Sequence, residues 1–251
     1  MRWPTSGNSE LSAAAWSNAE AFIESRWRHL DLESRRKLIE FAQGLERRWT
    51  WEGLDGFVIS EDARAHTSAM ASLLVLGHGP RLYSDVTAVL IAATSSESPT
   101  KFRLGTGVVA EGHGCVLGSA LLHGPVKVAW ECVIDERSPD ATTSVIIHEF
   151  AHKIDMADGE PSGTPPIADR SQARDFERTA DDTLDLLRSK GSGVLRPYAG
   201  TNRTELFAVA SEAFFLLPDD LASAHPAMFT LLETFYGQTP ERTLDSAITD
   251  G

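Results

Sequence analysis

Cysteine is nearly absent: Cys115 and Cys132 are the only two in 251 residues. Neither stands in a Cys-x-x-Cys pair, so a disulfide scaffold and a cysteine-built structural zinc site both lack support, and the two are read as plain buried thiols. Long apolar runs are missing too. Nowhere do 18 uninterrupted apolar residues occur, which argues against a membrane-spanning helix. The segment from Met1 to Ala15 has no basic start followed by an apolar stretch, so no leader is expected and the cytoplasm is the default address. Positive charge is scarce: 23 Lys and Arg face 36 Asp and Glu, for a formal net charge of −13. A surface that neutralises phosphates needs the opposite balance, so direct nucleic-acid binding is not expected. The basic residues from Arg26 to Arg48 alternate with Glu24, Glu33, Glu40 and Glu46 and read as a solvated helix face.

What is present is ordinary globular material. The apolar fraction is 42% and the charged fraction 24%, and a chain of this length buries a core without covalent staples. One domain is expected over 16–240, its helical part at about 16–80, between tails at 1–15 and 241–251. Leu38, Phe41, Ala42 and Leu45 recur at helical spacing behind Asp31, predicting a helix over 31–49. A short strand is expected at Phe57-Val58-Ile59 and a buried helix over 62–76. The β-branched run 86–92 and the alternation at 126–130 read as strands, with a weaker one at 108–117. Helices are expected at 142–157, 171–189, 204–217 and 226–236. The fold class is therefore α+β, mainly helical, with a small mixed or antiparallel sheet.

The chemistry lies in His148-Glu149-Phe150-Ala151-His152. Residues four apart share a helix face, so both imidazoles can reach one ion, and zinc suits such nitrogen donors. Glu149 is turned away from direct ligation and near enough to act on a water beside the metal, which is the place of a general base. Its apolar neighbours Ile146, Ile147, Phe150 and Ala151 make unpartnered polar side chains costly there. A catalytic zinc ordinarily takes three protein ligands. Glu205 and Glu212, seven residues apart on another apolar helix, both offer the third, with the other free to hydrogen-bond a ligand histidine. Position alone does not choose between them. Asp155 is a further supporting carboxylate, or the partner of Lys153 in a salt bridge.

The runs His148 to Asp155, Tyr198-Ala199, Glu205 to Val209 and Ser211 to Phe215 resemble the Mlc titration factor A family. The similarity extends from about Trp16 to Pro240 and includes Gly124 to Trp130; the N-terminal region is only loosely similar, and Thr94 to Gly114 is hard to align. The resemblance implies a cytoplasmic, zincin-like bacterial peptidase of the gluzincin type with one Zn2+ per chain, its active site related to that of the anthrax lethal factor catalytic domain. In that family a glutamate seven residues after a tyrosine completes the metal site. This selects Glu205 as third ligand, moves Glu212 to the surrounding support and gives Tyr198 the role of oxyanion donor.

The activity expected is hydrolysis of peptides, aminopeptidase-like on short ones. Val126, Val128 and Trp130 are expected on an edge strand along which the substrate pairs. The resemblance also implies a protein partner, a transcriptional repressor, which this acidic chain could hold by complementary charge with little peptidase activity of its own.

Overall fold

The computed structural model describes residues 10–94, 119–120 (backbone only), 124–138, 140–159, 161–191 and 193–240. The expected tail at 241–251 and the strand at 108–117 lie outside them. Among the described residues the chain forms nine α-helices and four short strands.

The helix α1 (Ala13–Arg26) is capped by Ser12, and α2 (Leu32–Arg48) by Asp31, whose carboxylate accepts from Ser34 N–H. Both pack on α3 (Glu61–Leu74), which is buried continuously from Ala65 to Leu74. The folded region starts ahead of residue 16, since Leu11 and Ala15 are already in the core.

Four strands follow the order β1-β2-β4-β3, comprising β1 (Thr50–Gly53), β2 (Ala88–Ala92), β3 (Ser119–Ala120) and β4 (Val126–Ala129). The first three in that order run parallel and β3 is antiparallel to β4, so the sheet is mixed. Two strand assignments change. The strand expected at Phe57-Val58-Ile59 lies at Thr50–Gly53 instead, where Trp51 is buried and pairs with Val89, while Val58 is 86% exposed. The run 126–130 ends as a strand at Ala129: β2 pairs along one side of β4 and the two-residue β3 meets Val126 and Lys127 on the other, Val126 and Val128 are buried, and Trp130 opens α4 (Trp130–Glu136). Cys132 is buried in α4, and Cys115 lies outside the described residues.

The remaining helices build the other half of the core. They are α5 (Val145–Asp155), α6 (Arg170–Lys190), α7 (Arg203–Leu216), α8 (Pro218–Ala224) and α9 (Pro226–Tyr236). The central pair is α5 against α7, with α3 and β4 on the other side of α5. Contact with α7, α3 and β4 together leaves α5 buried from Ile146 to Asp155, the polar residues of the face opposite Phe150 included. Phe150 stacks on Trp49 at 5.2 Å and meets Tyr83 edge-on at 5.1 Å, which locks α5 to the first half of the chain. None of the described helices is long and apolar enough to cross a membrane.

Candidate metal centre

Ser144 caps α5, its hydroxyl accepting from Ile147 N–H at 3.1 Å. One turn later His148 and His152 stand on the same face, with their Nε2 atoms 3.1 Å apart. Helix α7 begins with Asn202, whose side chain accepts from Glu205 N–H at 2.9 Å. That cap fixes Glu205 in the first turn, where the helix dipole favours a carboxylate. Its Oε2 lies 3.3 Å from His148 Nε2 and 3.4 Å from His152 Nε2.

Three donor atoms thus form a triangle with edges of 3.1, 3.3 and 3.4 Å. A tetrahedral ion with bonds of about 2.0–2.1 Å has ligand-to-ligand edges of about 3.3–3.4 Å, so the triangle matches one face of such a site. These three residues are the one group among the described residues that could hold a metal, and Glu205 Oε2 is buried without a hydrogen-bond partner there. Burial would raise the Glu205 carboxyl, but the two histidines outweigh it and hold it well below the usual range. His148 is the reverse case: burial lowers it, and the nearby carboxylates of Glu205 and Glu212 carry it up to about 10.

Glu212 lies two turns beyond Glu205 on α7. Its Oε1 accepts from His148 Nδ1 at 2.8 Å and its Oε2 from Ser144 N–H at 2.8 Å. Because a carboxylate only accepts, Nδ1 carries a proton toward Glu212, which leaves Nε2 as the nitrogen that can face an ion once its own proton is displaced. Glu149 is buried, with Oε2 unpartnered among the described residues, and burial raises its carboxyl against the pull of His148 and His152. Tyr198 sits in the 3-10 turn Pro197–Gly200, its ring 6.0 Å from that of His148. Burial and the Glu205 charge hold its hydroxyl above the ordinary phenol range.

Asp155 closes α5 and accepts from Gly163 N–H at 2.7 Å and Ser162 N–H at 3.2 Å through one oxygen, and burial pushes it up to about 6. It pins the loop after α5, with the His152 charge within electrostatic reach. Lys153 donates to Gly124 O at 2.8 Å, tying α5 to the turn before β4. Val126, Val128 and Trp130 do not join the cluster.

Two participants carry no signal in the sequence. Arg196 Nη2 donates to Glu212 Oε1, and Glu136 receives the Ser144 hydroxyl at 2.7 Å and the Val145 N–H. Glu136 comes from α4, eight residues before Ser144, with no periodicity linking it to α5.

The sequence model of the glucose-regulated metallo-peptidase M90 family matches residues 2–237. The chain belongs to this family. It is 28% identical over 218 residues to Mlc titration factor A of Yersinia pestis (strain Pestoides F), covering 84% of this chain and 80% of that protein. The same values hold for Mlc titration factor A of Yersinia pseudotuberculosis serotype O:1b (strain IP 31758). Membership of a metallo-peptidase family implies a metal ion, and a His-His-Glu set able to hold one is present.

Proposed function

We propose that the chain is a zinc peptidase of the gluzincin type that hydrolyses peptide bonds, with an aminopeptidase-like preference for short peptides. The observation that carries this is the triangle of His148 Nε2, His152 Nε2 and Glu205 Oε2, whose edges suit a tetrahedral ion. One zinc ion per chain would be held there and would supply Lewis acidity toward a water and a peptide carbonyl. Nitrogen and carboxylate donors in a set of three favour zinc over the hard cations, which prefer six or more oxygens.

Glu149 is the general base. Burial raises its basicity, which suits a group that takes a proton from the attacking water and returns it to the departing amine nitrogen. Tyr198 keeps its proton because burial and Glu205 disfavour the phenolate, and so stays a donor for the carbonyl oxygen as negative charge develops on it. Glu212 holds the His148 ring in the tautomer that frees Nε2, and Asp155 supports the far end of α5 near His152.

The test is Glu149→Gln. Turnover of a chromogenic aminoacyl or short-peptide substrate should fall by roughly 100-fold to 10,000-fold, with bound zinc per chain unchanged. Undiminished cleavage by the variant would overturn the assignment of the base.

A second reading is supported by the name of the relatives, Mlc titration factor A, and by the net charge of −13. In it the chain acts in the cytoplasm by holding a transcriptional repressor, a basic DNA-binding protein, through complementary charge. The two readings separate on the same variant: Glu149→Gln abolishes cleavage and leaves partner binding intact.

A further inference from the structure

Glu212 is buried and receives three donors: His148 Nδ1, Ser144 N–H and the Arg196 guanidinium. A buried carboxylate that loses a charged partner is left strongly destabilised, so the guanidinium bears on how firmly Glu212 stays against His148. Arg196 occupies a particular place in the chain. It immediately precedes the 3-10 turn Pro197–Gly200, which carries Tyr198. That turn packs on α7, the helix bearing both Glu205 and Glu212. One ion pair therefore ties the turn of Tyr198 to the carboxylate that orients His148.

We propose that Arg196 is a positioning residue for hydrolysis, holding Glu212 on His148 Nδ1 and, through the same contact, holding Tyr198 over the His148 ring. It acts through these residues and touches no ligand of the metal. Lysine at this position keeps the charge and loses the planar fork, so it should restore only part of the function. The proposal rests on the zinc-peptidase reading, and its test contains arms that do not depend on turnover.

The variants are Arg196→Gln, Arg196→Lys and Tyr198→Phe, with the double Arg196→Gln/Tyr198→Phe. Zinc dissociation constants come from chelator competition, and the His148 Nδ1–H resonance from 15N-resolved NMR. Arg196→Gln should shift or broaden that resonance and change zinc affinity or kcat by about 10- to 100-fold, the range for groups supporting a metal ligand. KM should stay within about two-fold, and Arg196→Lys should recover part of the loss. On the Tyr198→Phe background the loss in kcat from Arg196→Gln should shrink, because residues acting as one unit are not additive.

An unmoved resonance with unchanged zinc affinity in Arg196→Gln sinks the proposal. So does a loss confined to KM, which would make Arg196 a substrate contact, or a double variant whose losses multiply in full. A wild type that binds no zinc, or whose cleavage ignores Glu149→Gln, refutes the peptidase reading instead; the resonance still reports on Arg196. If Arg196→Gln does not fold, Arg196→Lys carries the same comparison.

Discussion

At His148 a proton and a metal compete for the same nitrogen. Burial lowers the imidazole, and Glu205 and Glu212 together carry it up to about 10, so at neutral pH an ion must displace a proton to bind. Metal uptake should therefore release about one proton, and apparent affinity should rise about ten-fold per pH unit from 6 to 8. Chelator competition, corrected for the chelator's own protonation, measures this; an affinity that stays flat over that range would be incompatible with a protonated His148. A second residue-scale constraint comes from Gly163, whose φ is +74° and where a Cβ would lie 2.3 Å from the Arg203 carbonyl carbon. Arg203 opens α7 two residues ahead of Glu205. Gly163→Ala should cost about 1–3 kcal/mol from backbone strain and also loosen zinc retention by displacing the start of α7. Gly191 provides the control, with φ +83° and no neighbour within 4 Å of a Cβ. Gly191→Ala should lose stability in thermal melts and keep its zinc.

Among the elements, α5 is held by its first turn. The Ser144 hydroxyl caps Ile147 N–H and reaches Glu136, and its backbone N–H reaches Glu212. Ser144→Ala should cost about 1–2 kcal/mol for the cap, plus the penalty of leaving a buried Glu136 oxygen unpaired. Ser12→Ala, at the cap of α1, should cost less, since Ser12 holds Ala15 N–H at 3.3 Å in a more exposed setting. Urea midpoints compare the two; equal losses would mean that Glu136 adds nothing. The long elements were legible because their signals are local. Asp31 with the spacing of Leu38 to Leu45 marked α2, and the expected 31–49 is observed as Leu32–Arg48. The same holds for α7 and α9. Strand β1 was obscured by Gly53 and Gly56, which read as a turn, while its reason to exist is a parallel partner 38 residues away at Ala88–Ala92. The pattern also could not show that β4 has neighbours on both sides, because pairing is a property of the sheet rather than of the strand. At the metal centre the histidine pair was legible from one helix face. Choosing Glu205 over Glu212 required the family resemblance, and the structure distinguishes them by distance: Glu205 faces both Nε2 atoms, Glu212 faces Nδ1.

For the molecule as a whole, α3 is the seam on which α1, α2 and the metal helix α5 all pack, and it contains a buried ionisable group. His66 on α3 is buried, with neither ring nitrogen hydrogen-bonded among the described residues. Its ring meets Phe22 of α1 edge-on at 4.7 Å. Burial, with the Arg137 charge from the end of α4 adding to it, lowers His66 from 6.5 to about 3. The folded protein therefore keeps His66 neutral while the unfolded chain takes up a proton below about pH 6.5. Stability from this group is fully present above that pH and is lost as pH falls from about 6.5 toward 3, up to on the order of 5 kcal/mol over the window. Replacing it by phenylalanine removes the titration and leaves the seam apolar. Urea midpoints from pH 7 to pH 4 should fall less steeply for His66→Phe than for wild type, the difference corresponding to about one proton. Parallel curves for the two proteins would mean that His66 finds a partner able to carry its charge, and that acid unfolding starts elsewhere, at the carboxylates around α5.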